Sequence, residues 1–175
     1  GIYMTELCVK NNIQPIKISR HATADYNASV ADKDFVNALV KKEQPDYIFH
    51  LAANSTTRYD ALFENHETIS SGTLYILDAV KYHSPHTKVL ITGSGVQFKN
   101  AGNPISENTE FEAGNAYAIA RIQSVYAARF FRSLGVKTYV AYLFHHESPY
   151  RKEHHVSKMI TDKIKNIVRG NADKI

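Results

Sequence analysis

Tyr117 and Arg121, in the stretch NAYAIAR (115–121), stand four positions apart, so on a helix a phenol and a guanidinium project from one face. A phenol beside a cation is suited to moving a proton, because positive charge favours the phenolate, and the same cation can hold a cofactor. Pairs at this spacing also occur as plain contacts on solvated helices, so spacing alone leaves both readings open. His145, His146, His154 and His155 crowd together between positions 145 and 155, a density that invites zinc. Their spacing matches no familiar site and no cysteine accompanies them, so the sequence predicts no metal centre.

Such residues need a scaffold. A chain of 175 residues with 43% hydrophobic content supports one well-buried core and is too short for two ordinary domains. The net charge of +4 is spread along the chain and interleaved with acids, which argues against a nucleic-acid footprint and remains compatible with phosphorylated small molecules. The single Cys8 excludes an internal disulfide and a cysteine metal site, and points to a reducing, cytoplasmic setting. No run approaches the roughly 18 apolar residues of a membrane span, and no leader pattern opens the chain.

Three apolar runs rich in β-branched and aromatic residues read as buried strands: DYIFHLAA (46–53), KVLITGSG (88–95) and KTYVAYLF (137–144). A weaker strand, QPIKIS (14–19), carries Pro15 near its start. On the last strong strand, Tyr139, Tyr142 and Phe144 read as core. Helical patterns cover 2–11, 34–42, about 62–82 and 117–133, the last closed by Leu134-Gly135. Val156, Met159, Ile160, Ile164 and Ile167 form the apolar stripe of a final amphipathic helix ending at Gly170. Alternation of this kind predicts βαβ units and a mostly parallel sheet covered on both faces. Because a helical pattern follows Gly1 directly, the strand that such a sheet places at its centre is expected upstream of this sequence.

Read in order, GIYMTEL, PDYIFHLAANS, GTLYILDAVK, NAYAIAR and FHHESPYR resemble the extended short-chain dehydrogenase/reductase family, and within it the GDP-mannose 4,6-dehydratase branch. The likeness covers nearly the whole chain, and FHHESPYR is its most specific piece. It implies an α/β, Rossmann-type doubly wound parallel sheet, incomplete here, with residues 1–144 as a partial NAD(P)-binding domain. Residues 145–175 are then the start of a nucleotide-sugar-binding region. By the same likeness Gly1 is the last glycine of the phosphate-binding loop. Leu51, Ala52, Ala53, Asn54 and Ser55 approach the cofactor's ribose and nicotinamide, although the two alanines read equally well as core. His146 and Arg151 match positions near the cofactor, and Ser29 falls where the family usually has an aspartate facing the adenine. Arg20, with no acid at that strand's tip, favours NADP over NAD, since an arginine accommodates a 2′-phosphate.

The resemblance assigns Ser94, Tyr117 and Arg121 to catalysis. Ser94 also touches the substrate, along with His145, Glu147, Ser157 and Lys158, and that substrate is a GDP-mannose-like nucleotide-diphosphate sugar. Two positions depart from the family: Arg121 replaces the lysine of the Tyr-x-x-x-Lys motif, and Val96 replaces a glutamate that serves water elimination as acid and base. Valine cannot move a proton. Three functions stay open: a dehydratase of altered chemistry, a 4-keto reductase or epimerase, or a catalytically silent partner subunit that still binds cofactor. The helix with Tyr126, Phe130 and Phe131 is one the family uses between subunits, so a homodimer or homotetramer is expected, with no nucleic-acid or membrane partner.

Overall fold

The computed structural model describes residues 1–21, 23–54, 56–151, 153 and 155–170. The chain forms two compact units, Gly1–Leu143 and Phe144–Ile175. In the first, the strands are β1 (Ile18–Ser19), β2 (Tyr26–Asn27), β3 (Tyr47–His50), β4 (Lys88–Ser94) and β5 (Lys137–Leu143). Its helices are α1 (Ile2–Lys10), α2 (Lys33–Glu43), α3 (Leu62–Asn65), α4 (Gly72–His83) and α5 (Ala116–Ser133). The second unit holds α6 (Val156–Val168). Among the described residues no helix is long and apolar enough to cross a membrane.

Among the described residues the five strands pair in parallel, β1 with β2 in one sheet and β3–β4–β5 in another, and a single antiparallel bridge joins Phe98 to Phe111. This is the α/β architecture that the alternation predicts. The sheet is in two parts, and β1 and β3 share no ladder among the described residues. Helix starts follow local chemistry. Asp32 accepts the Phe35 N–H at 3.0 Å to open α2, and Asn115 accepts the Ala118 N–H at 2.9 Å to open α5. Gly135, at φ +90°, supplies the left-handed turn between α5 and β5.

The core joins Val36 and Val40 of α2, Ile76, Leu77 and Val80 of α4, and Ala128 and Phe131 of α5 to Val89 and Ile91 of β4. These helices cover one face of β3–β4–β5. Coverage of both faces, expected from the alternation, is not found within this unit, because α1 buries none of its residues. On the other face Tyr47, Phe49 and Tyr139 remain exposed. Tyr139 and Phe144 are thus not core as expected, whereas Tyr142 is half-buried with its ring 4.9 Å from that of Phe98.

Other departures have local causes. The strand expected over 14–19 shrinks to two residues beyond Pro15, which has no N–H to give a ladder, and β2 is too short for periodicity to show. The helix expected over 62–82 is composite: a 3-10 turn (Tyr59–Ala61), α3, a π-helical turn (His66–Ser71) and α4. Next to that widened turn, the Thr73 hydroxyl donates to the Ile69 carbonyl at 2.6 Å.

Gly93 in β4 is required by close approach. A Cβ there would lie 2.6 Å from Cδ1 of Tyr142 and 3.0 Å from Oε1 of Gln97. Gly93→Ala is expected to destabilise the protein by about 1–3 kcal/mol, seen as a lower urea midpoint at unchanged slope.

Candidate active site

Helix α5 runs antiparallel to β4 and β5, since at its C-terminal end Arg132 Nε donates to the carbonyl of Thr138, at the start of β5, at 2.9 Å. In the second turn of the helix, the guanidinium of Arg121 is buried against β4. Its Nη1 donates to both the carbonyl and the hydroxyl of Thr92, at 2.5 and 2.7 Å. The Thr92 hydroxyl in turn donates to the carbonyl of His50 at 3.1 Å. One turn nearer the helix start is Tyr117, whose ring centroid is 5.0 Å from Cζ of Arg121.

Because α5 runs antiparallel to β4 and packs on the 3-10 turn that follows it, Tyr117 near the start of α5 and Ser94 at the end of β4 lie towards the same end of the sheet. Ser94 caps the 3-10 turn Gly95–Gln97: its hydroxyl oxygen accepts the Gln97 N–H, and Gln97 Oε1 accepts the Ser94 N–H at 2.8 Å. The Ser94 hydroxyl proton is not consumed by that cap. Val96 lies on the same turn with 39% of its surface exposed.

His50, at the C-terminal end of β3, is buried. Burial first, and then the Arg121 charge, push its pKa down to about 4, while the carbonyls of Ile69 and Thr68 on the π turn pull the other way. The ring is therefore neutral at pH 7. Nε2 of His50 and Nε of Arg121 find no hydrogen-bond partner among the described residues.

A second cluster joins the ends of β1 and β3. Arg20, directly after β1, donates from Nη2 to Glu64 Oε1 at 3.0 Å, and Asn54, beyond the end of β3, donates from Nδ2 to Glu64 Oε2 at 2.7 Å. Leu51, Ala52 and Ala53 form the half-buried non-strand segment leading to Asn54. Ser55 lies outside the described residues. Gly1 and Ser29 join neither cluster: the Gly1 carbonyl accepts the Thr5 N–H at 3.0 Å to open α1, and the Ser29 hydroxyl accepts the Ala31 N–H at 3.2 Å.

In the second unit Glu147, Arg151, Ser157 and Lys158 line one cleft of about 400 Å³ together with Lys165. Arg151 Nε lies 3.3 Å from Glu147 Oε2 and the same side chain donates to the His146 carbonyl. The Ser157 hydroxyl and then Arg151 hold the Glu147 carboxyl below its ordinary range. His146 Nδ1 is 2.9 Å from the Phe144 carbonyl, and His145 is exposed. Beside the cleft Asp162 takes Lys158 at 3.0 Å and Lys165 at 4.0 Å, so three cations stand against two carboxylates, a net positive charge that suits an anion.

The sequence pattern of the GDP-mannose 4,6 dehydratase family matches residues 4–175. The chain belongs to that family. Among its relatives, the GDP-mannose 4,6-dehydratase of Yersinia enterocolitica is 30% identical over 167 residues, covering 91% of this chain and 44% of the relative. The chain spans about half the length of the curated relatives it matches. Solved structures share the fold of its dehydratase-family sheet. WbmH of Bordetella bronchiseptica, in complex with NAD+, superposes with TM-score 0.74 at 19% identity, over 97% of this chain and 59% of its own. RMD of Pseudomonas aeruginosa, complexed with NADPH, does so with TM-score 0.73 at 22% identity, over 91% and 52%.

Three residues of these clusters escape sequence reading. His50 carries a signal, a lone imidazole ending an apolar strand run. Thr92 is one hydroxyl in a buried strand and shows nothing until Arg121 is seen to reach it. Glu64 meets Arg20 across 44 positions, a tertiary pairing that leaves no trace in spacing.

Proposed function

We propose that the protein carrying this chain oxidises C4 of a GDP-mannose-like nucleotide sugar. The Tyr117–Arg121 pair, anchored through Thr92 to the strand that ends at Ser94, carries this reading. Tyr117 takes the proton of the C4 hydroxyl, and Ser94 orients that hydroxyl through the donor its cap leaves available. Arg121 holds positive charge under the Tyr117 ring and fixes its helix against β4. A nicotinamide cofactor supplies the acceptor for the hydride leaving C4. The donor set fits such a cofactor: a cation and an amide stand at the carboxyl ends of strands from both ladders, where open α/β sheets take dinucleotides. Arg20 supports NADP as that cofactor. In the second unit the cationic cleft suits the sugar nucleotide's diphosphate. Tyr126 and Phe130, exposed on α5 while Phe131 is core, support a homodimer or homotetramer through that helix.

Val96 gives water elimination no acid or base on the turn beside Ser94, and this favours a second reading, a 4-keto reductase or epimerase, whose reactions need the phenol and not that acid. The two readings part in one experiment. With GDP-mannose and NADP, Val96→Glu in the full-length protein is expected to raise the product lighter by one water about a hundredfold, read by mass spectrometry. Position 96 is open enough to accept the longer side chain. No gain in a folded, cofactor-binding Val96→Glu protein would assign the chain to the reductase or epimerase reading.

A further inference from the structure

Glu64 lies outside the five short motifs quoted from the sequence, yet it ties together the two polar side chains at the carboxyl ends of β1 and β3. Its Oε1 is 3.0 Å from Arg20 Nη2 and its Oε2 is 2.7 Å from Asn54 Nδ2. The carboxylate stands at the carboxyl ends of both strands, the end of the sheet at which doubly wound folds receive a nucleotide. The guanidinium that accommodates a 2′-phosphate is therefore already matched by a negative charge. Arg20 and Glu64 keep 67% and 40% of their side-chain surface in water, so the pair is held weakly and another anion can separate it. A ribose 2′-hydroxyl beside that carboxylate finds an acceptor, whereas a 2′-phosphate finds Arg20 occupied and a like charge next to it.

We propose that Glu64 is a specificity-determining residue for the cofactor's 2′ position: it receives the hydroxyl of NAD and restrains the binding of the NADP phosphate to Arg20. The inference rests on the nicotinamide reading above and deepens it. It predicts a protein that binds both cofactors, with an NADP preference smaller than Arg20 alone would give.

Fluorescence titration of the full-length protein with NADPH and NADH tests this without turnover. Glu64→Gln is expected to tighten NADPH about fivefold while NADH stays the same or weakens, and Arg20→Ala to weaken NADPH about tenfold with little effect on NADH. Glu64→Lys, which adds a second cation, extends the shift in the same direction. An unchanged NADPH-to-NADH ratio in Glu64→Gln and Glu64→Lys, with both cofactors bound, overturns the role of Glu64 and leaves the nicotinamide reading intact. No binding of either cofactor to the unmodified protein overturns both.

Discussion

Tyr117→Phe is expected to lower turnover of the nucleotide sugar by about 10²–10⁴-fold while leaving the cofactor dissociation constant within about twofold. The substitution removes only the phenolic oxygen. The ring keeps its place over Arg121, whose guanidinium stays bound to Thr92, so the helix and the sheet beneath it are undisturbed. A kcat loss with unchanged cofactor binding identifies the hydroxyl as the proton-transfer group. A loss of cofactor affinity in parallel with turnover would instead make Tyr117 a binding contact and remove it from the chemistry.

The second large effect is on stability and comes from His50. Its folded pKa is about 4, below the ordinary 6.5, so between those values the unfolded chain binds a proton that the folded protein refuses. Stability therefore rises with pH through this window and is lost as pH falls from 6.5 towards 4. Between pH 7 and 4.5 the loss assigned to His50 is about 2 kcal/mol, measurable as a shift in urea midpoint. His50→Asn removes the titrating group, and its pH dependence is expected to be flatter by that amount, whatever its absolute stability. Equal slopes for the two proteins would mean that His50 ionises in the fold without penalty. The cause of the penalty is specific: a guanidinium that cannot lose its charge stands beside an imidazole that is buried away from solvent.

The same guanidinium shows how far the sequence could be read. Four-residue spacing puts Tyr117 and Arg121 on one face of α5, and the structure brings them within ring contact. The resemblance sets Arg121 against the lysine expected there, and nothing in the sequence shows that Thr92 takes two of its hydrogen bonds. Apolar periodicity reveals β3, β4, β5 and their helices because each buries one face continuously. It misses β2 and the π turn at 66–71, since two-residue ladders and a single widened turn leave no period. Arg20 and Asn54 are legible as polar residues at strand ends. Their common partner Glu64 is not, because nothing local distinguishes that carboxylate from any other on a solvated helix start. Exposure of Tyr139 and Phe49 has a related cause: alternation tells which residues share a face of the sheet, and a second element must still arrive to cover it.

The central claim is that Tyr117, on the helix that Arg121 anchors to Thr92, acts with Ser94 in the oxidation at C4 of a nucleotide sugar. The direct measurement is rapid mixing of the full-length protein and NADP with GDP-mannose, following the near-ultraviolet absorbance of reduced nicotinamide in a single turnover. The account predicts a transient rise in the unmodified protein that Tyr117→Phe abolishes. A protein that binds both cofactor and sugar nucleotide and shows no such rise would contradict it.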